Sequence, residues 1–142
     1  MATETHEIRY EATHCNLVIQ RFPPGVIILR IAGCDVGEFG KEPMNEIGAW
    51  IDAAHPVDFF IDARDVTGAS IAVSGDWALW LSAHKSGLRS VTMLSGSRFI
   101  HVTAEFVRRF ASLEGIMRVC SEPAVFDAEV AQALKSNAAP TS

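Results

Sequence analysis

The segment Val57-Asp-Phe-Phe-Ile-Asp62 decides how this chain folds. Its apolar residues are β-branched or aromatic and nearly continuous, a pattern typical of a buried strand. His55-Pro56 stands directly before it and ends the preceding helix, because the residue before a proline avoids the helical region. We therefore predict a buried strand at residues 57–62 with an acid at its C-terminal end, followed by a loop over residues 63–70.

Strands and helices alternate outward from this segment. In chain order we predict strands at residues 7–13, 16–21 and 26–32, a helix from Pro43, the strand at 57–62, a helix that begins between Ser70 and Ser74 and ends at Gly87, a strand at 90–94, a helix from Ser97 to Gly115, a strand at 116–120 and a helix from Ser121. Alternation of this kind implies parallel strands joined by right-handed crossovers, and the opening hairpin around Pro24-Gly25 makes the sheet mixed. The predicted fold class is α/β: a single domain over residues 1–142 with five or six strands and about four packed helices. Its core spans about residues 7–135, and residues 136–142 form a disordered tail.

Apolar side chains at helical spacing supply the expected core of the helical layer. On the third helix they form one stripe that we predict to be buried, consisting of Phe99, Val102, Phe106, Phe110 and Leu113. Emptying the central Phe106 from a core would cost about 3–5 kcal/mol. The helix before it carries Trp77 and Trp80, and Trp80 is the tryptophan expected to reach a surface.

Composition excludes several classes of function. The chain has 142 residues, 49% of them hydrophobic, and a net charge of −5. An acidic balance argues against general binding to nucleic acid or to anionic membranes. No apolar run approaches the about 20 residues of a membrane helix, and the polar N-terminus lacks the apolar segment of a signal peptide. We expect a cytoplasmic protein without membrane insertion.

The sequence lacks the motifs that indicate metal sites, cofactor binding or catalysis. Cys15, Cys34 and Cys120 are odd in number and have no Cys-x-x-Cys spacing, which favours free thiols in a reducing compartment. The five histidines have no metal-ligand spacing. No Gly-x-Ser-x-Gly elbow, phosphate-binding loop or dinucleotide fingerprint occurs. We therefore predict no metal, no cofactor and no catalytic residue.

One constellation is typical of a ligand site. Ser95-Gly96-Ser97-Arg98 follows a strand and opens a helix, so free backbone N–H groups, hydroxyls and a guanidinium converge on one point that suits an anion. His101 and Trp80 complete the candidate set. The alternative is that the two serines cap the helix and that Arg98 pairs with Asp62 or Asp65 from the neighbouring strand end.

The order of elements, and the run Val57-Asp-Phe-Phe-Ile-Asp-Ala-Arg-Asp-Val66 followed by a helix, resemble a STAS domain. That family comprises anti-sigma-factor antagonists and the cytoplasmic domains of sulfate transporters. The resemblance covers residues 15–135. The chain is also similar to STAS-like, CRAL-TRIO-related bacterial proteins in Trp77-x-x-Trp80, in Leu88-Arg-Ser-Val91 and in Leu94-Ser-Gly-Ser-Arg98.

The resemblance implies a function. In antagonists of this family a partner kinase phosphorylates the serine before a glycine, in the turn that opens a helix. Ser74 before Gly75 is the nearest match, although Ala72-Val73 stand where the family has Asp-Ser. The resemblance thus implies Ser74 as a phosphorylation candidate in a non-catalytic regulatory module that binds a protein partner or itself as a homodimer. Two alternatives stay open: a carrier or sensor of a small anionic or amphipathic, lipid-like ligand, and an enzyme.

Overall fold

In the described part of the chain, six strands form one mixed sheet in the order β1-β2-β3-β4-β5-β6, and four α-helices cover it. The computed structural model describes residues 6–138. The strands are β1 (His6–Glu11), β2 (Cys15–Phe22), β3 (Val26–Asp35), β4 (Val57–Ala69), β5 (Leu88–Ser95) and β6 (Met117–Cys120). The helices are α1 (Glu42–Ala54), α2 (Ile71–His84), α3 (Arg98–Phe110) and α4 (Pro123–Ala138). The predicted element order and the mixed α/β sheet are confirmed.

The sheet changes direction at β3. Strands β1, β2 and β3 pair antiparallel as a meander, whereas β3, β4, β5 and β6 pair parallel. Each parallel step needs a crossover helix, and α1, α2 and α3 supply the three. The carboxyl ends of the parallel strands therefore meet at one edge of the sheet, beside the N-termini of these helices.

Strand β4 is longer than predicted, and the predicted loop over residues 63–70 is wrong. Its 13 residues extend to Ala69 because β3 also continues, to Asp35, and pairs with it along this length. The pairing contains two register shifts, at each of which β4 has one residue more than β3, and Gly33 of β3 sits at the second shift with a φ of +92°. A Cβ at Gly33 would lie 2.2 Å from the carbonyl oxygen of His14, so only glycine fits there. Arg64 has no pairing partner in β3 or β5, and its backbone N–H donates instead to Oδ1 of Asp62 at 3.2 Å.

Helices pack on both faces of the sheet because both faces of β4 are apolar. Phe59 and Ile61 belong to a core cluster with Ile47 of α1 and Leu81 of α2, to which α3 also contributes. Phe60 points to the opposite face and meets Phe126 of α4 edge to face at 5.9 Å. The strand that the sequence predicts to be buried is therefore covered on both sides.

The stripe on α3 faces outward, so the prediction that it is core is wrong for four of its five residues. Phe99, Val102, Phe106 and Phe110 are 58–63% exposed, whereas Leu113 is buried. A second apolar row packs on the sheet instead, formed by Ile100, Ala104, Val107 and Ala111. These side chains are smaller than the phenylalanines, which lets the helix approach the strands closely.

The last helix is also longer than predicted. Helix α4 continues to Ala138, so residues 136–138 are helical and not a disordered tail, while residues 139–142 lie outside the described part. Asn137 explains the difference. Its Oδ1 accepts from the backbone N–H of Gly25 at 2.9 Å, and its Nδ2 donates to the carbonyls of Phe22 and Pro23. These bonds fasten the end of α4 to the β2–β3 turn.

Two phenylalanine deletions should separate the core from the outer face of α3. Phe59→Ala should lower the free energy of unfolding by about 3–5 kcal/mol, because Phe59 is fully buried. Phe106→Ala should lower it by less than about 1 kcal/mol, because most of that side chain is exposed. Urea denaturation of both variants is the measurement, and equal losses would contradict the assignment of the two faces.

Candidate functional site

The turn from β5 into α3 is built from the residues that the sequence singles out. Ser97 is the N-cap of α3, and its Oγ accepts from the N–H of Ile100 at 3.2 Å. Gly96 lies against β4: a Cβ at this position would stand 2.1 Å from the carbonyl oxygen of Arg64. Packing on the neighbouring strand therefore already requires a glycine here, whether or not a ligand approaches.

Ser95 and His101 are brought together beside this turn. The Oγ of Ser95 is 3.3 Å from Nδ1 of His101 and donates to the carbonyl of Cys120 at 3.4 Å. A hydroxyl beside an imidazole is the arrangement by which a base activates serine. Ser95 is only 2% exposed, however, so this hydroxyl does not face a substrate from solvent. The pair ties β5 to α3 and β6.

Arg98 is exposed and forms no ion pair with any residue in the range 6–138. The alternative partner Asp62 is held by Arg30 at 2.7 Å and by Arg64 at 3.0 Å. Arg64 reaches further, to Asp127 of α4 at 2.6 Å. These ion pairs hold α4 against β3 and β4 and leave the guanidinium of Arg98 in solvent.

Trp80 lies apart from this turn. Its Nε1 donates to the carbonyl of Met44 at 3.0 Å, across the contact between α1 and α2. Its ring packs on Phe59 at 6.0 Å and on His84 at 4.7 Å. Ser95, Ser97, Arg98 and His101 therefore share one region, whereas Trp80 belongs to the core beneath α1.

Ser74 lies inside α2 and not in an exposed turn. The helix begins at Ile71 because Ser70 is its N-cap, with an Oγ that accepts from the N–H of Val73 at 3.1 Å. Ser74 follows in the first turn and is half-buried. Its phosphorylation stays a prediction, and a phosphate here would have to enter the contact between α2 and α3.

An apolar cavity of about 100 Å³ opens between the sheet and helices α2 and α3. Its lining is aliphatic and aromatic apart from three polar residues, Asp35, Ser74 and Thr103. Sequence patterns do not reveal a cavity of this kind, because they show which residues face the interior but not where their volumes fail to fill it.

The outer face of α3 carries the exposed residues that we call the phenylalanine stripe: Phe99, Val102, Phe106 and Phe110. Phe106 and Phe110 stack with ring centroids 6.0 Å apart. Two exposed arginines stand beside the stripe, because Arg98, Val102 and Arg109 fall in one row at spacings of four and seven residues. The sequence shows this apolar stripe clearly but not which way it faces.

Among residues 6–138, no three His, Cys, Asp or Glu side chains are grouped so that they could hold a metal ion. No helix in the same range is long and apolar enough to cross a membrane.

No protein-family model matches the chain, and no curated protein matches it by sequence. Two solved structures are similar to it. One is an uncharacterized protein of the DUF3478 family with a SpoIIAA-like fold from Shewanella loihica PV-4, with a TM-score of 0.57 and 14% identity over 84% of this chain and 97% of that chain. The other is the anti-sigma factor antagonist SpoIIAA in its unphosphorylated form, with a TM-score of 0.51 and 14% identity over 81% of this chain and 96% of that chain.

The chain therefore has a STAS-like fold of the SpoIIAA type, and the predicted fold is confirmed. At 14% identity the likeness establishes the fold alone. What the chain does has to be argued from its own side chains.

Arg98 supplies a test of anion binding at the start of α3. If phosphate binds there, it should raise the melting temperature of the wild type more than that of Arg98→Ala, because binding to the folded state stabilises it by mass action. Phosphate also stabilises proteins generally by exclusion from their surface. The measurement is therefore the difference between the two proteins over a phosphate titration. Equal shifts in both would contradict an anion site at Arg98.

The reactivity of the cysteine thiols tests the packing around Cys15 and Cys120. Burial, together with the charges of Asp35 and Glu38 and the neighbouring Cys34, raises the pKa of Cys15 to about 11 from 9.0. The thiolate fraction near pH 8 is then roughly a hundredfold lower than in an exposed cysteine. Burial also raises the pKa of Cys120. We expect both thiols to resist labelling by a disulfide reagent in the folded protein and to react in urea. Rapid labelling of folded Cys15, located by mass spectrometry, would contradict the described packing.

Proposed function

We propose that this chain is a non-catalytic module of the bacterial cytoplasm that regulates another protein by direct contact through the phenylalanine stripe. The observation that carries this proposal is the exposure of four apolar side chains, each by 58–63%, on one face of α3. Single exposed apolar residues are ordinary on protein surfaces, but a contiguous aromatic row marks a surface that another molecule covers.

The stripe has the properties of an interface centre. Phenylalanine is enriched where proteins meet, and large aromatic anchors carry much of the binding energy there. The opposite face of α3 is fixed to the sheet by Ile100, Ala104 and Val107, so the stripe stands on a rigid base. Binding therefore needs little ordering of the helix, which favours affinity.

The charges beside the phenylalanine stripe favour a different protein, and not a second copy of this chain, as the molecule that covers the stripe. In a two-fold dimer through the stripe, Arg98 of one copy would face either Arg98 or Arg109 of the other, and like charges would meet. The net charge of −5 adds repulsion between copies. At the edge of the sheet, β1 carries Glu7, Arg9 and Glu11, which are residues of the kind that protect an edge strand from pairing. We therefore propose a partner with an apolar groove that is rimmed by carboxylates.

The shared fold supports the same class of function. SpoIIAA is described as an anti-sigma factor antagonist, a protein that acts on another protein. A role through protein contact is thus compatible with this sheet and helix arrangement, while the phenylalanine stripe gives this chain a surface for it. The cavity favours a second candidate function, the recognition of a small ligand.

Photo-crosslinking in cells tests the proposal. Val102→p-benzoylphenylalanine places a crosslinker inside the stripe without removing a phenylalanine. Val36→p-benzoylphenylalanine is the matched control, because Val36 is 53% exposed but lies in the loop after β3. We expect one heterologous protein adduct at position 102 and not at position 36. Adding Arg98→Glu and Arg109→Glu should abolish it, because the charges would then repel an acidic rim.

The adduct must then be reproduced with purified components. The purified partner should bind the wild type with an affinity that falls at least about tenfold on Phe99→Ser with Phe106→Ser, and that weakens as salt is raised. An adduct with the mass of two copies of this chain would assign the stripe to a homodimer. An adduct with lipid would assign it to a membrane surface. Either result, or no adduct, would overturn the proposed partner.

A further inference from the structure

We infer that the cavity beneath α2 and α3 binds one small, mostly apolar molecule that carries a hydrogen-bond donor, the class that includes single-ring phenols and short alcohols. This site is independent of the phenylalanine stripe, because it lies on the inner face of α3 and the stripe lies on the outer face.

The cavity exists because small residues stand where larger ones would fill the layer. Ala63 and Ala69 of β4 and Ala104 of α3 line it, opposite larger walls such as Trp77 and Met93. Protein interiors are otherwise packed to the density of organic crystals. A partly open pocket that is lined by alanines between long side chains therefore has a definite shape that a guest can occupy.

Size limits the guest to about one ring. The cavity holds about 100 Å³, which is somewhat less than the engineered apolar cavity of about 150 Å³ that stays dry and binds benzene. A single six-membered ring or a chain of comparable volume fits this space. A long acyl chain or a fused polycyclic molecule would have to displace α2 or α3.

Asp35 sets the polar part of the guest. It lines the cavity and is 8% exposed, and its Oδ1 accepts from the N–H of Gly37 at 3.0 Å. Its Oδ2 has no hydrogen-bond partner among residues 6–138. This oxygen is not sealed from solvent, and a carboxylate at the cavity with an acceptor that no described residue uses favours a donor and repels an anion. Thr103 adds no donor, since its hydroxyl already bonds to the carbonyl of Phe99 at 2.9 Å.

The position of the cavity fits a ligand site. Asp35 and Ala69 are the last residues of β3 and β4, so the cavity reaches the carboxyl ends of the parallel strands. Ser74 and Ile100, from the first turns of α2 and α3, stand at the same end. Open α/β sheets bind their ligands at this edge. A largely apolar pocket with few placed polar groups is also the usual form of a small-molecule site.

Three probes of one ring each test the inference: p-cresol, toluene and benzoate. p-Cresol should raise the melting temperature most and toluene less, because only p-cresol offers Asp35 a hydrogen-bond donor. Benzoate should cause no shift, because its negative charge is repelled by the carboxylate of Asp35. Calorimetric titration gives the affinities. Asp35→Asn removes the charge, and the preference for p-cresol over toluene should then fall by at least about threefold.

Variants of α3 locate the binding. Ala104→Leu should abolish the p-cresol shift by filling the cavity, and Ala63→Leu from the strand side serves if the first variant does not fold. Leu79→Ala is the matched control, because Leu79 of α2 is 62% exposed and does not line the cavity, and this variant should bind p-cresol with unchanged affinity. The inference is overturned if none of the probes shifts the wild type, if benzoate binds as well as p-cresol, or if p-cresol binds the filled variant as well as the wild type. If no partner adduct forms at position 102 but p-cresol still binds the cavity, the proposed function is refuted and the inference about the cavity stands.

Discussion

The parallel pairing of β4 between β3 and β5 is the constraint on which the rest of the structure depends. Both edges of β4 are occupied by ladders, and its side chains alternate between two apolar layers. Phe59 requires helices on one face of the sheet and Phe60 requires α4 on the other. The ion pairs of Asp62 with Arg30 and Arg64, and of Arg64 with Asp127, continue the contact with α4 where the apolar residues end. Every functional feature follows from how the helices cover this strand.

Helix α3 covers the sheet with its smaller apolar row. Ala104 gives a close approach to the strands but leaves volume unfilled, so the same choice that seats the helix also opens the cavity. The larger row, with Phe106 at its centre, is turned to solvent. Burying those rings would release more apolar surface from water, at about 25 cal/mol per Å². The capped turn at Gly96 and Ser97 opposes that rotation, because it fixes the direction in which α3 leaves β5.

The element order could be predicted because its signals are local. Alternating apolar runs, His55-Pro56 and the serine caps mark where strands and helices begin and end. The length of β4 could not be predicted, because a residue such as Asp65 looks like a loop residue until β3 supplies Ala32 as its pairing partner. The orientation of α3 could not either, since two apolar rows have the same helical periodicity and periodicity alone does not say which row meets the sheet. At the candidate site, Ser95 and His101 meet as their places in the chain suggest. Trp80 lies elsewhere because its indole N–H donates to the carbonyl of Met44, a hydrogen bond that the sequence spacing does not predict.

The two surfaces of α3 are under different physical demands. Substitution on the inner row changes packing, so Ala104 and Val107 determine both the stability of the fold and the shape of the cavity. The outer row affects neither the stability of the fold nor the shape of the cavity. Exposed rings add little to folding and increase the risk of aggregation. A chain that needed only its fold would gain solubility by replacing Phe99 and Phe110 with polar residues at almost no cost in stability. Their presence beside the solvent-facing Arg98 and Arg109 is therefore a feature that folding does not explain, and binding is the physical role that remains for it.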